Sequence, residues 1–363
     1  MTTDTSRRIA TRRRNDSATP KLDSLNENDY QLHVRIVSTD RESRTVKIAF
    51  VGKGGSGKTT LAALFARHLA AAGAPLLAVD ADINQHLAVA LGASEAEAAQ
   101  LPALGDHLPA IKEYLRGSNP RISSAATMVK TTPPGRGSRL LGVDDANPLW
   151  DALVREVGGV RLAVTGPFAA DDLGVACYHS KVGAVELLLN HLVDTAGEYV
   201  VVDMTAGADS FASGLFTRFD LTVLVCEPTL RSVGVYRQYV GHARDFGVRV
   251  HVVGNKVDGP ADHEFLREHV GPDLLTCVGR SAYVRSAEQG GNRPFAHLEA
   301  ANAAALTALR AAADGTVKDW AAYTRQAAEF HLRNASAWAS EKVGEDLAGQ
   351  VDPEFVLGPA VAV

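Results

Sequence analysis

Between an apolar run at 46–51 and a helical pattern that begins at Leu61 lies Gly52-Lys53-Gly54-Gly55-Ser56-Gly57-Lys58-Thr59-Thr60. Few stretches of this length constrain a fold as tightly. Strand, glycine-rich loop, helix is the order in which backbone N–H groups wrap a phosphate. Glycine lets the backbone curl without Cβ clashes, and the helix N-terminus adds partial positive charge. Lys58 brings a mobile full charge to the β- and γ-phosphates, and the Thr59 hydroxyl suits Mg²⁺. Gly52, Gly54, Gly55, Ser56, Gly57, Lys58, Thr59 and Thr60 are therefore predicted to bind a nucleotide. A turn that binds nothing would need neither the flanking strand nor the lysine.

The rest of the chain repeats strand and helix. Leu61, Leu64, Phe65, His68 and Leu69 mark one helical face, and Gly73 stops that helix. A second apolar run, 75–79, ends in Asp80-Ala81-Asp82 and completes a right-handed βαβ unit. Further strands are predicted at 160–165, 199–203, 221–226, 248–254 and 274–278. Helices are predicted at 181–193, 232–246, 300–313 and 318–342. The expected fold class is α/β: a doubly wound, mostly parallel sheet with helices on both faces, of the P-loop NTPase kind. The pattern breaks between 93 and 159, where prolines and glycines suggest an insertion. It carries helices near 107–116 and 148–157 and an exposed loop at 131–138.

Three domain segments follow: a polar N-terminal tail at 1–44, an ATPase-type domain at 45–345 and a C-terminal tail at 346–363. The first tail clusters Arg7, Arg8, Arg12, Arg13 and Arg14, and its residues 30–38 alternate weakly as an edge strand would. A formal net charge of -5 argues against a nucleic-acid binder that uses its whole surface. Cys177, Cys226 and Cys277 are too scattered for a disulfide scaffold, and the last two sit in strand-like runs as core thiols. No apolar run reaches transmembrane length and no export signal is present, so a cytoplasmic protein is expected.

In a parallel sheet, ligands bind beyond the carboxyl ends of the strands. Four strand ends here carry polar residues. Besides the loop there are Asp80 and Asp82, then Asp203 followed by Gly207, then Asn255-Lys256-Val257-Asp258. Asp203 is placed to hold Mg²⁺, Gly207 to let backbone approach the γ-phosphate, and Asn255 with Lys256 to contact the base. Each alone is equally well read as a solvated loop residue. Together, each closing an apolar run, they point to one site.

Lys53 permits a resemblance to be named. The spelling K-G-G-x-G-K-T-T at 53–60 resembles the deviant phosphate loop of the MinD/ParA/nitrogenase-iron-protein group of P-loop ATPases. Asp80-x-Asp82 with Leu87 resembles that group's first switch, and Asp203-x-x-x-Gly207 its second; the resemblance covers about 45–297. It implies ATP and Mg²⁺ as cofactors, with Thr59 and Asp203 on the metal. It also implies a homodimer formed on ATP binding, in which Lys53 reaches the partner's nucleotide and Asp82 orients the hydrolytic water. Lys53, Asp82 and Asp203 are then the catalytic residues.

Within the group the chain resembles CooC-like ATPases, which deliver nickel to carbon monoxide dehydrogenase. Where those carry Cys-x-Cys, this chain has Cys177-Tyr178-His179. Cys177 and His179 from two subunits would make a Cys₂His₂ set suited to Zn²⁺ or Ni²⁺. The plainer reading is an interface thiol and a histidine at a helix start, and the departure from Cys-x-Cys puts nickel delivery in doubt.

Other readings stay open. Asn255-Lys256-Val257-Asp258 fits the N-K-x-D of GTPases, but metal-insertion GTPases of this fold lack a counterpart of Lys53, so ATP is favoured. A ParA-like partitioning or positioning role needs a basic surface, and only the N-terminal arginines suggest one. A MinD-like membrane role needs a basic amphipathic C-terminus. This chain ends acidic and proline-broken at Asp352-Pro353-Glu354, so neither membrane nor nucleic acid is expected as partner. The expected partner is a protein that the sequence leaves unnamed.

Overall fold

Every apolar run assigned to the core becomes a strand, and their order explains where the polar strand ends meet. The computed structural model describes residues 46–82, 84–167, 178–206, 211, 214–291 and 293–361, and of 178–180 only the backbone. The N-terminal tail and its expected edge strand lie outside these residues. In chain order the strands are β1 (Val46–Gly52), β2 (Leu76–Ala81), β3 (Leu141–Gly142), β4 (Arg155–Val157), β5 (Val160–Val164), β6 (Leu192–Val193), β7 (Tyr199–Met204), β8 (Leu221–Cys226), β9 (Val250–Val257) and β10 (Leu274–Gly279). The longer helices are α1 (Lys58–Ala71), α2 (Leu108–Arg116), α3 (Tyr178–His191), α4 (Leu230–Ala243), α5 (Pro260–Val270), α6 (Ala300–Asp314) and α7 (Trp320–Asn334).

Eight strands form one sheet in the order β10-β9-β8-β1-β7-β2-β5-β4. All neighbours are parallel except β4 with β5. β1 is central and all seven of its residues are buried, as a strand covered on both faces must be. Its alternation splits the core. Val46, Ile48 and Phe50 pack with α1 and α6, while Ala49 and Val51 pack with α3, α4 and α5. α1 is buried more widely than a single stripe: Ala62, Ala63 and Ala66 join Leu61, Leu64, Phe65 and Leu69, and His68 is half-buried as its face predicts. Truncating a core residue such as Phe50 to alanine should cost about 3–5 kcal/mol.

The insertion departs from its sequence reading in two places. The helix expected over 148–157 stops at Leu153, and 155–157 turns back as β4 against β5. Gly158 and Gly159, at φ +58° and +78°, make the two-residue turn of that hairpin. The loop at 131–138 is not exposed along its length. Residues 131–135 are buried, because the last stretch of the chain lies over them. The Thr132 hydroxyl donates to Gln350 Oε1 at 3.0 Å, and His331 Nδ1 meets Thr131 Oγ1 at 3.3 Å. Arg136 Nε donates to Asp352 Oδ2 at 2.9 Å. Residues from 346 onward, set aside above as a tail, thus pack into the insertion, with Leu347, Phe355 and Leu357 buried.

Candidate nucleotide site

β1 ends at Gly52 between β7 and β8, so the loop emerges at the middle of the sheet's carboxyl edge. Gly52 has φ +148°, and a β-carbon there would lie 2.6 Å from the Val225 carbonyl oxygen of β8. No other residue fits that crossing. The loop then folds on itself through Ser56 N–H donating to the Lys53 carbonyl at 3.1 Å. Gly54 and Gly55 stand exposed, while Ser56 and Lys58 are buried. α1 begins at Lys58 with no side-chain cap and no acidic residue in its first turn. Its first N–H groups and positive dipole end are left for an anion.

Two residues from β9 hold the loop from behind. Asn255 Nδ2 donates to the Ser56 carbonyl at 2.7 Å, and Lys256 Nζ donates to the Gly55 carbonyl at 2.7 Å. Lys256 also pairs with Glu227 at the end of β8, again at 2.7 Å, and takes an unusual φ of +58°. By drawing carbonyls outward, these contacts favour N–H groups that face the crevice. Gly57 makes room for this grip: at φ +93°, a β-carbon would come within 2.2 Å of Asn255 Nδ2. The pair expected to read the base therefore spends its amide and ammonium on the loop. Glu227 was absent from the residues singled out by sequence, although its place just after an apolar run is the same signal that picked out Asp203.

The acidic residues converge as the strand order requires. Asp203 is in register with Phe50 of β1 on one side and with Asp80 of β2 on the other. Asp80 is fully buried; its carboxylate accepts from Asp82 N–H at 3.1 Å and from Leu87 N–H at 2.9 Å. Burial pushes its pKa up to about 7, and the Asp82 charge adds to that against the two backbone bonds. Asp203 is equally buried, and neither of its oxygens has a hydrogen-bond partner among the described residues. Burial, then the neighbouring Asp80, raises its pKa well above the carboxylate range; Thr59 and Lys58 pull the other way without prevailing. Asp82 is 8% exposed, with Oδ1 held by the backbone and amide of Asn84 at 3.0 Å each.

A buried carboxylate without a donor is costly unless something else meets it. Asp203 with the Thr59 hydroxyl is a hard oxygen set of the kind Mg²⁺ takes alongside phosphate oxygens, so the residues present fit that ion. Lys53 is half-exposed, its ammonium reaching, among the described residues, the Gly54 carbonyl at 3.4 Å. Gly207 and Cys177 lie outside the described residues. His179 is placed by backbone alone, in the first turn of α3. Cys226 is buried and Cys277 half-buried, as strand thiols. Among the described residues no helix is long and apolar enough to cross a membrane.

Comparison with known proteins agrees with this geometry. Residues 48–294 match the family model described as the CobQ/CobB/MinD/ParA nucleotide binding domain. The carbon monoxide dehydrogenase accessory protein CooC of Rhodospirillum rubrum is 31% identical over 248 residues, 68% of this chain and 88% of that one. An uncharacterised ATP-binding protein of Methanocaldococcus jannaschii is 31% identical over 237 residues, 64% of this chain and 84% of that relative. Among solved structures, the septum site-determining protein MinD of Pyrococcus horikoshii, complexed with Mg-ADP, shares the fold at TM-score 0.51 and 17% identity. That match covers 75% of this chain and 96% of the other. A mostly parallel sheet with the phosphate loop at its centre, matched over residues 48–294, makes this chain a member of the CobQ/CobB/MinD/ParA nucleotide-binding family.

Proposed function

We propose that the chain is an Mg²⁺-dependent ATP switch that hydrolyses ATP as a homodimer and acts on a protein partner, in the manner of an accessory ATPase similar to CooC. One observation carries most of this reading: the buried Asp203 carboxyl, without an ion pair among the described residues, lies beside Thr59 and Lys58 of the phosphate loop. The loop and Lys58 bind the phosphates. Thr59 and Asp203 would hold Mg²⁺, which when bound offsets charge on the phosphate oxygens and on the buried carboxylates. Asp82, fixed by Asn84, orients the attacking water. Lys53, free to leave the loop, supplies a positive charge to the nucleotide of the other subunit. Asn255 and Lys256 keep the loop in its binding shape. The adenine preference rests on the family's loop spelling rather than on the N-K-x-D segment, whose first two side chains are turned to the loop.

Calorimetric titration with Mg-ATP and Mg-GTP, combined with sedimentation of the nucleotide-bound protein, tests this. Wild-type protein should prefer ATP and dimerise with a non-hydrolysable analogue. Lys58→Ala should weaken binding by about a hundredfold or more, about 2.7 kcal/mol. Lys53→Ala should bind normally yet neither dimerise nor hydrolyse. Full activity of Lys53→Ala would overturn the trans role. The Zn²⁺ or Ni²⁺ site at Cys177 and His179 rests on their sequence spacing, and elemental analysis of the purified dimer decides it.

A further inference from the structure

Downstream of Asp203 the chain presses onto α7, and α7 ends at a surface that the nucleotide site does not use. Gly214–Arg218 forms a tight turn against that helix. A β-carbon on Gly214 would lie 2.7 Å from Cβ and Cγ of Phe330, so only glycine permits the approach. The Phe216 ring meets Phe330 edge-on with centroids 5.5 Å apart, and the buried Arg218 guanidinium sits 4.1 Å from the Tyr323 ring centre.

Past Phe330 the helix leaves Leu332 42% exposed. Then comes a turn of π-helix, Ala335–Ala339, bearing Trp338, itself 40% exposed. Such turns have poorer backbone geometry and recur at functional sites. Beside it lies an open groove of about 740 Å³, with Leu332 and Ala335 as its apolar lining and Glu341, Glu345 and Asp346 as its acidic lining. Glu345 accepts from Ser123 Oγ at 2.7 Å and Asp346 caps Ala348 N–H at 3.0 Å. Among the described residues none of the three carboxylates forms an ion pair.

We propose that this groove docks a basic amphipathic helix of a partner protein, and that nucleotide state reaches it through Gly214 and Phe330. An apolar residue of the partner packs on Leu332, and its Lys or Arg side chains meet Glu341, Glu345 and Asp346. Charge complementarity selects that occupant. The same carboxylates repel nucleic-acid phosphates and anionic lipid. The groove stands on its own residues, whereas the coupling rests on the switch reading above.

The test uses the full chain and a labelled amphipathic peptide built of Leu and Lys, followed by fluorescence anisotropy, with a Leu and Glu peptide for comparison. The Leu/Lys peptide should bind, and Glu341→Lys with Glu345→Lys should weaken it about tenfold or more. Reversing the exposed Glu264 on α5 to Lys should not. Equal loss from both reversals, or none from the first, overturns the groove. In wild-type protein, exchanging ADP for a non-hydrolysable ATP analogue should change peptide affinity about threefold, and Phe330→Leu should erase that change without unfolding the chain. Peptide binding that needs Glu341 but ignores nucleotide overturns the coupling. Nucleotide affinity, read in the same samples, separates that failure from a failure of the switch itself.

Discussion

Two pairs of carboxylates are buried near opposite ends of the eight-stranded sheet, and they are partnered in opposite ways. At the amino ends, Asp194 and Asp220 face two lysines. Lys47 lies 2.7 Å from Asp194, and Lys318 bridges Asp194 and Asp220, the latter at 2.9 Å. Lys47 also donates to the Leu192 carbonyl at 2.6 Å and sits over the rings of Trp320 and Tyr323. Burial alone would raise both: Lys318 and Lys47 together hold Asp194 well below the usual carboxylate range, while burial and the neighbouring Asp194 still raise Asp220 against the same two lysines. At the carboxyl ends, Asp80 and Asp203 face one another, and both are pushed upward. The first cluster carries its own counter-charge and is finished. The second has no ion pair among the described residues. Its Asp203 carboxyl, with the Thr59 hydroxyl, is the hard oxygen set that suits the Mg²⁺ proposed above to arrive with nucleotide.

If that contrast holds, equivalent substitutions at the two ends differ in their cost. Asp194→Asn removes the acceptor shared by Lys47 and Lys318 and leaves charge stranded in the core. It should cost about 3–5 kcal/mol of stability in urea unfolding. A cost under about 1 kcal/mol would mean that the amino-end network is not what holds Lys47 in place. Asp203→Asn should instead cost the nucleotide-free protein nothing, or stabilise it by up to about 1–2 kcal/mol, because it removes a buried carboxyl whose ionisation burial and Asp80 oppose. The same variant should lose the Mg²⁺ dependence of ATP binding and lose hydrolysis. Destabilisation by Asp203→Asn would show that the carboxylate has a structural partner after all.

How much of this could be read from the chain alone depended on range. The loop and its helix are local, set by residues within one turn of each other, and 52–60 announced them. Asp203 was found because parallel strands with buried faces end where polar residues begin. The grip of Asn255 and Lys256 on the loop spans about 200 residues and has no local signature. Lys47 was invisible for the same reason: a lysine inside an apolar strand makes sense only once Asp194, Asp220 and Lys318 are beside it. The buried stretch at 131–135 looked exposed because its composition is that of a loop. What covers it, Gln350 and His331, comes from the far end of the chain. Residues 155–157 continue the helical pattern of 148–154 in sequence, and what takes them out of the helix, pairing of β4 with β5 across the Gly158-Gly159 turn, shows only in the sheet.

The smallest effect sharpens the comparison most, since it comes from two opposing slopes with pH. Asp80, near 3.8 in the unfolded chain and about 7 in the folded one, keeps its proton in the native state over that window. The native state then binds more protons than the unfolded state, so stability falls as pH rises, by at most about 1.4 kcal/mol per unit for one such proton. His191 works the other way. It is buried, its Nδ1 bonded to the Leu187 carbonyl at 2.9 Å, and burial lowers its pKa from 6.5 to about 4. Between those values the unfolded chain binds the extra proton, so stability rises with pH. His331, buried and also lowered, adds to that rise. Asp203, also raised by burial, adds to the fall, so the slopes oppose one another in wild-type protein between about pH 4 and 6.5. Asp80→Asn removes one falling contribution and should leave a urea midpoint that falls less, or climbs more, with pH across this window than wild type does. A variant with the wild-type slope would mean that Asp80 ionises normally in the folded chain.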